Sequence, residues 1–415
     1  MCTEGICHRV WAHSKVYTAV SCDALGYPLG FIPYRANVSD FNQCKPLRGP
    51  IFNPVPWPSW TRVTTAMRFV INFRLWYLSF LICFQPPDVR SIFPIILLLS
   101  GLLAWVGCGH KEEPHNGLRK VTFQSDWFPQ AEHGGFYQAL AKGYYREAGL
   151  DLEIISGGPG AGVLLKIAKG LADFGMFRGD DVILATSRGL PLMMIGATLQ
   201  HDPQAILVHA DSPVQSFADL DGRTVIAAVG MTWIPYIQKK YDITFGLIPT
   251  SYGLTQFLAD KKTIQQCFLT SEPYFARQHG AKVRTLPLSA TGYDSYHAML
   301  TRRALVRDDP EMVRAFVSAS IRGWRDYLEG DPTPAHELIV QRNLQMTTAH
   351  LNFSRQALID HQLAAGDPEK GERVGQLLLE RVQQEIELLR EFEVLEKPMR
   401  AEDVATSEFI PAENP

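Results

Sequence analysis

From Arg119 onward the sequence alternates strand-like and helix-like segments at short spacing, and this rhythm restricts the possible folds more than any other feature of the chain. Residues 120–124 read as a strand, 135–147 as an amphipathic helix stopped by Gly149, 152–156 as the next strand, and 162–169 as the next helix. A short strand over 173–177 and a buried one over 192–199 follow. Strands that alternate with helices pack as a mainly parallel sheet covered on both faces, so an α/β protein is expected. Two apolar strands, 205–210 and 297–300, then bracket a second α/β set spanning 224–288. Bracketing of this kind suggests one lobe inserted into another, with two crossover segments as a hinge. After Asp309-Pro310 the pattern is helical, over 311–328, 335–343, 354–363 and 369–392. The last of these, rich in Glu, Arg, Gln and Leu, is expected on a surface.

The stretch before Arg119 is of another kind. The whole chain has 415 residues and a formal net charge of −3. That balance gives no reason to expect nucleic acid held by charge. Six of the seven cysteines fall in the first 108 residues, at 2, 7, 22, 44, 83 and 108, and only Cys267 lies beyond. No CxxC or Cys/His metal spacing occurs, so neither a metal site nor a disulfide framework is expected. Residues 1–108 carry a formal +5 and the remainder −8. The first 66 residues lack a sustained helical or strand period, and residues 1–88 are expected to be a disordered upstream extension foreign to the native protein.

Near residue 89 a signal-like segment begins. Val89-Arg90-Ser91 precedes an apolar run over 92–106, then Gly107-Cys108-Gly109 and a polar stretch over 110–116. One basic residue, an apolar run of about 15 and small exit residues are the parts of a secretory signal. The run falls short of the roughly 20 residues that span a bilayer as a helix. The Val106-Gly107-Cys108 exit resembles the lipobox of bacterial lipoproteins, although Trp105 stands where that pattern usually has Leu. The resemblance implies a lipoprotein-type signal over 89–108, lipidation of Cys108 and a tether over 109–118. Translation is then expected to start at Val89, which fits a GTG codon, with Met67 the less economical choice. The other reading is an uncleaved anchor paired with the apolar run over 69–84.

Residues 126–152, opening Asp126-Trp127-Phe128-Pro129 and continuing through His133-Gly134-Gly135-Phe136-Tyr137, resemble the start of the thiamine-pyrimidine-synthase-like family of solute-binding proteins. The likeness continues through Gly170-Leu171-Ala172-Asp173-Phe174-Gly175, 216–224 and 309–316. That family includes binding proteins for nitrate, taurine, alkanesulfonates, riboflavin and thiamine-pyrimidine precursors, and the fungal pyrimidine synthase. The resemblance implies a periplasmic-binding-protein-like fold with two hinged α/β lobes: 119–206 plus 297–330 form lobe 1, 207–296 form lobe 2, and 331–415 a helical C-terminal extension. It further implies a monomeric, extracytoplasmic protein anchored through Cys108, at the cell surface or in the periplasm. Such a protein delivers a small molecule to an ABC permease and its ATPase, with no cofactor.

Ligand groups are expected where strands end and helices begin, since helix N-termini offer free N–H donors. Trp127 and Tyr137 can stack on a flat heteroaromatic ring, and Asp126 or His133 can pair with its polar edge. Gly158 permits close backbone approach or makes a plain turn. Arg178 and Asp181 follow a strand and are either ligand groups or a structural pair. In the inserted lobe, Met231 and Trp233 are expected as the opposite wall of an aromatic sandwich. Glu272 either accepts hydrogen bonds from an aminopyrimidine-like edge or satisfies its own helix N-terminus. Tyr293, at the second crossing, is expected at the rim. The acidic Asp126 and Glu272, without a Lys/Arg cluster, disfavour a sulfonate or nitrate and favour a nitrogen heterocycle, with a thiamine-pyrimidine precursor first.

An enzyme reading follows from the same resemblance. The fungal synthase uses a lysine that holds pyridoxal phosphate and a histidine consumed as substrate, just after its Asp-x-Gly strand. By direct count Phe177 occupies the lysine position here and Asp181 the histidine position, and residues 292–297 lack the clustered cysteines. Without an amine there is no Schiff base, and without thiolates no comparable iron site. Synthase activity is therefore not expected, and no other catalytic fingerprint occurs.

Overall fold

The computed structural model describes residues 117–412, together with the backbone of three short strands nearer the start. Residues 1–109 and 110–415 form two compact units. In the first, β1 (Cys7–His13), β2 (Val16–Cys22) and β3 (Pro28–Tyr34) make an antiparallel meander, with Cys7 opposite Cys22. Disorder across 1–88 is therefore corrected for these residues. Backbone pairing across short connections requires no binary apolar pattern, so its absence was no bar to a meander. The signal-like segment over 89–108, Cys108 and the tether up to residue 116 lie outside the described residues. Among the described residues, no helix is long and apolar enough to cross a membrane.

The second unit contains two five-stranded sheets. The first has the order β5-β4-β6-β13-β7, from β4 (Arg119–Gln124), β5 (Leu150–Ile155), β6 (Phe174–Arg178), β7 (Leu192–Leu199) and β13 (His297–Arg302). The second has the order β10-β9-β11-β8-β12, from β8 (Gln204–His209), β9 (Thr224–Ala227), β10 (Gly246–Pro249), β11 (Ile264–Phe268) and β12 (Val283–Pro287).

Both sheets are mixed rather than mainly parallel. β4 runs parallel to β5 and β6, yet β13 is antiparallel to β6 and β7; β9 runs parallel to β10 and β11, yet β8 is antiparallel to β11 and β12. The odd strand in each sheet is the one that arrives from the other lobe. A βαβ crossover imposes parallel pairing only on strands that return to the same sheet. For the same reason the strand expected to bracket the insert, 205–210, is β8, inside the second sheet. The crossing falls at residues 200–203, and the lobe boundary moves there from 206.

Lobe 1 is closed by the helix Pro310–Glu329. Asp309 caps it by accepting from the Met312 amide at 3.3 Å, with Pro310 in the first turn. Its apolar stripe includes Phe316, whose ring lies 3.9 Å from that of Phe174 with 3° between planes, and Trp324 and Tyr327 face the helix Gly134–Ala141. Gly134 and Gly135 make that approach possible: a Cβ would stand 2.2 Å from the Tyr327 ring at Gly134 and 2.1 Å from Trp324 at Gly135.

The C-terminal region is helical over Thr333–Arg342, Thr348–Asp360 and Leu379–Glu391. The second of these reaches lobe 2, where Ser354 Oγ donates to the Thr270 carbonyl at 2.6 Å and His350 stacks on Tyr274 at 4.7 Å. The last buries Val382, Ile386 and Leu389 and leaves its opposite face in solvent. Between and beyond these helices the chain runs along β7. The Ala197 amide donates to Gly375 at 3.2 Å, Met194 to Val404 at 2.7 Å, and Thr406 back to Met194 at 2.9 Å.

The same region fastens the two crossings. His201, on the first crossing, faces Asp294 on the second and Glu372 of the C-terminal segment, at 2.6 and 2.9 Å. Arg381 donates to the Gln200 carbonyl at 2.5 Å and lies 3.2 Å from Asp294 and 3.4 Å from Glu372.

Candidate functional site

The parallel strands β4 and β6 end on the side of lobe 1 where β13 begins, and β9, β10 and β11 end on the facing side of lobe 2. Crevices outside the carboxyl ends of strands are where open α/β sheets bind ligands. The side chains at these ends define the candidate site.

Asp126 and Trp127 follow β4. Asp126 is half-buried, and its Oδ1 lies 2.8 Å from Nε2 of the buried His133. Burial pushes the Asp126 carboxyl up, but the hydrogen bond and charge of His133, with His297 nearby, hold it below its ordinary value. It therefore stays ionised and available as an acceptor. Trp127 meets Tyr252 of lobe 2, with ring centroids 5.0 Å apart and 53° between planes. Phe128, 46% exposed, lies edge-on beside Trp127, so three aromatic rings stand at the mouth. Gly158, at φ +147°, packs under Phe128, where a Cβ would come within 2.9 Å of the ring; its amide donates to the Asp126 carbonyl at 3.3 Å. Its close approach is thus to the loop that carries Trp127.

At the end of β6, Arg178 ion-pairs with Asp181 and lies 3.5 Å from Asp180. It also donates to the Met231 sulfur of lobe 2 at 2.9 Å. The single arginine here is thereby neutralised by two carboxylates. Asp180 in turn accepts from Thr232 and Tyr293. Tyr293 is 2% exposed, so the rim position expected of it is corrected: it lies beneath the crossing, where its hydroxyl is drawn to a buried carboxylate.

Two further expectations are corrected. Trp233 is completely buried in the apolar core of lobe 2, stacked 6.4 Å from Phe245. Tyr137 is completely buried in the core of lobe 1, with Arg342 over its ring at 5.4 Å. Each sits within its helix on the face that packs against its own lobe, so neither forms a wall of the aromatic sandwich.

Glu272 opens the helix Glu272–Gln278, and its Oε2 accepts from the Phe268 amide at 2.7 Å. Burial raises its carboxyl to about 7, the Phe268 amide opposes this, and the charge of Glu132 adds to it. Glu132, buried on lobe 1, accepts from the Thr270 hydroxyl of lobe 2, and burial raises its carboxyl too. These two acids approach each other across the cleft. Asp202, at the first crossing, is pushed by burial to about 7. Carboxylates outnumber cations here, which suits an uncharged or cationic guest better than an anion.

Sequence reasoning missed Glu132, Asp180, Tyr252, Phe268 and His297. Asp180 stood beside the two residues singled out after β6. His297 marked the start of a strand and was read only as a lobe boundary. Tyr252 follows β10, whose four residues are all exposed and carry no buried-face pattern.

Two sheets joined by two crossings and facing each other with their strand ends define the periplasmic-binding-protein fold. The alkanesulfonate-binding protein SsuA of Xanthomonas axonopodis pv. citri superposes with a TM-score of 0.53 at 14% identity, covering 69% of this chain and 98% of that one. SsuA of Escherichia coli gives 0.51 at 15% identity, covering 69% and 91%. The family model described as NMT1/THI5 like matches residues 130–335, all within the α/β unit. Among its relatives, the riboflavin-binding protein RibY of Chloroflexus aurantiacus is 28% identical over 316 residues, covering 71% of this chain and 87% of that protein. The formylaminopyrimidine-binding protein of Halalkalibacterium halodurans is 22% identical over 262 residues, covering 60% and 79%. The 4-amino-5-hydroxymethyl-2-methylpyrimidine phosphate synthase THI5 of Saccharomyces cerevisiae is 25% identical over 241 residues, covering 52% and 69%.

Proposed function

We propose that this protein is the extracytoplasmic solute-binding subunit of an ABC importer, and that it closes on a small, flat nitrogen heterocycle, a thiamine-pyrimidine precursor first and a riboflavin-like compound second. The observation that carries the reading is the pairing of Trp127 with Tyr252 across the cleft, with the Asp126–His133 pair beside it. The two rings touch, so together they form an aromatic wall, drawn from both lobes, against which a planar guest can stack, and an ionised carboxylate can accept hydrogen bonds from its amino edge. Arg178, at the end of β6, is paired with Asp180 and Asp181 and so is not free for a sulfonate. The riboflavin and formylaminopyrimidine binding named for two relatives points the same way. Closure of the lobes then signals to a permease and its ATPase. Lipidation of Cys108 would hold the monomer at the outer face of the membrane. Binding rather than catalysis is supported by Phe177 in the position where the synthase has its lysine.

Calorimetry with formylaminopyrimidine and riboflavin tests the reading. Saturable heat with at least one of them, and no product on prolonged incubation, is expected. A pyrimidine phosphate formed in the presence of pyridoxal phosphate and iron would replace transport with synthesis. For the anchor, mass spectrometry of native protein should find an N-terminal lipid-modified Cys108; peptides from 1–60 in the mature molecule would overturn that part.

A further inference from the structure

His297 is the first residue of β13, at the point where the chain re-enters lobe 1 from lobe 2. Its backbone is fixed on both sides, in register with Arg178 of β6 and Leu199 of β7, and its carbonyl accepts from Thr198 Oγ1 at 2.8 Å. The side chain is 3% exposed, and neither ring nitrogen has a hydrogen-bond partner among the described residues. The ring stands edge-on to Phe268 of lobe 2, with centroids 6.4 Å apart and 81° between planes. Asp126, His133, Arg178 and Asp180, the groups at the ends of β4 and β6, are its charged and titratable neighbours. His297 thus lies on the floor of the cleft, facing both lobes.

A buried imidazole whose two nitrogens are unused costs stability, and folded interiors rarely tolerate this without a function. The rigid backbone at this position keeps the ring from turning away to solvent. We propose that His297 is a ligand-contacting, specificity-determining residue, which meets the polar edge of the bound heterocycle from the floor of the cleft while the Trp127–Tyr252 pair stacks against it. This rests on the heterocycle-binding reading above and adds the group that reads the ring edge.

Burial pushes the imidazole down to about 4, outweighing the attraction of Asp126, so the ring is neutral at physiological pH. A neutral imidazole has one N–H donor and one lone-pair acceptor, and the tautomer adjusts to the guest. It can donate to a ring nitrogen or carbonyl, or accept from a ring N–H. It offers no positive charge to an anion, and Asp126 and Asp180 beside it repel one. The selected class is therefore an uncharged heterocycle with a hydrogen-bonding edge.

The test compares wild type, His297→Phe and His297→Gln by calorimetry with riboflavin and formylaminopyrimidine, and by melting temperature without ligand. The wild type should bind one probe, His297→Phe should bind it about tenfold more weakly or worse, and His297→Gln, which keeps a donor and an acceptor, should lose less. The unliganded His297→Phe protein should melt no lower than wild type, since it removes a buried polar group without a partner. Should His297→Phe overpack and fail to fold, His297→Ala replaces it in the same comparison. Binding by the apolar variant within twofold of wild type overturns the inference and leaves the heterocycle reading intact. A wild type that binds neither probe overturns both.

Discussion

Nδ1 of His201 lies 2.6 Å from Oδ2 of Asp294, and the two residues belong to the two separate segments that cross between the lobes. Glu372 and Arg381 complete the cluster from the C-terminal segment. Movement about the crossings must either carry these four side chains as a group or break their bonds. The hydrogen bond that His201 donates to Asp294 raises the His201 value; burial opposes this, and the charges of Asp294 and Glu372 reinforce it.

Because the folded-state value exceeds the unfolded one, of about 6.5, the stability His201 contributes is complete below that pH. It is lost as pH rises through the folded-state value. Replacement His201→Gln should flatten the fall in stability on the alkaline side of 6.5 and cost about 1.5–3 kcal/mol at pH 6, the range for hydrogen bonds to charged groups. Urea denaturation at several pH values measures both. An unchanged pH slope would show that the imidazole carries no proton-linked stability.

Trp127→Ala and Tyr252→Ala should each weaken heterocycle binding by about 1–3 kcal/mol, roughly five- to 150-fold, by removing half of the aromatic wall. Both side chains lie outside the lobe cores, so melting temperatures should shift little. Calorimetry paired with thermal melts separates the two effects, and unchanged affinity in both variants would move the site elsewhere in the cleft.

Trp233→Ala provides the contrast. This ring is fully enclosed in lobe 2, and its loss should cost about 3–5 kcal/mol of stability through the cavity left behind. Chemical denaturation reads this directly. A stable Trp233→Ala protein that had lost only affinity would return Trp233 to the cleft wall.

Glu272 has the opposite linkage sign to that of a salt-bridged carboxylate. Its folded-state value, about 7, lies above its ordinary 4.5, so folding opposes its ionisation. Stability should fall as pH rises from about 4.5 to about 7, and Glu272→Gln should remove that fall while keeping an oxygen for the Phe268 amide. Binding measured across the same range should weaken in Glu272→Gln if the carboxylate accepts from the guest, and stay level if it serves only its own helix.

The sequence made the α/β alternation and the existence of two lobes legible, because strand and helix periods are local signals. Placement of β8 was not legible: six buried residues in a row read alike in either sheet, and only the partners, β11 and β12, decide. Asp126, Trp127, Arg178 and Met231 do lie at or after strand ends, a placement that the local strand pattern made legible. Tyr137 and Trp233 were misplaced because an aromatic residue near a turn has the same sequence signature whether it faces the cleft or its own core. The clamp at the crossings was beyond local reading, since His201 and Glu372 are 171 residues apart.

The lacing of residues 375 and 404–406 along β7 has a consequence for handling this protein. β7 ends its sheet and is almost wholly apolar, from Leu192 to Leu199. An open apolar edge is a template for pairing with another chain, and here the protein's own tail occupies it. C-terminal truncation before residue 375 should therefore yield molecules that join edge to edge and aggregate, whereas a tag placed after residue 412 leaves the edge covered.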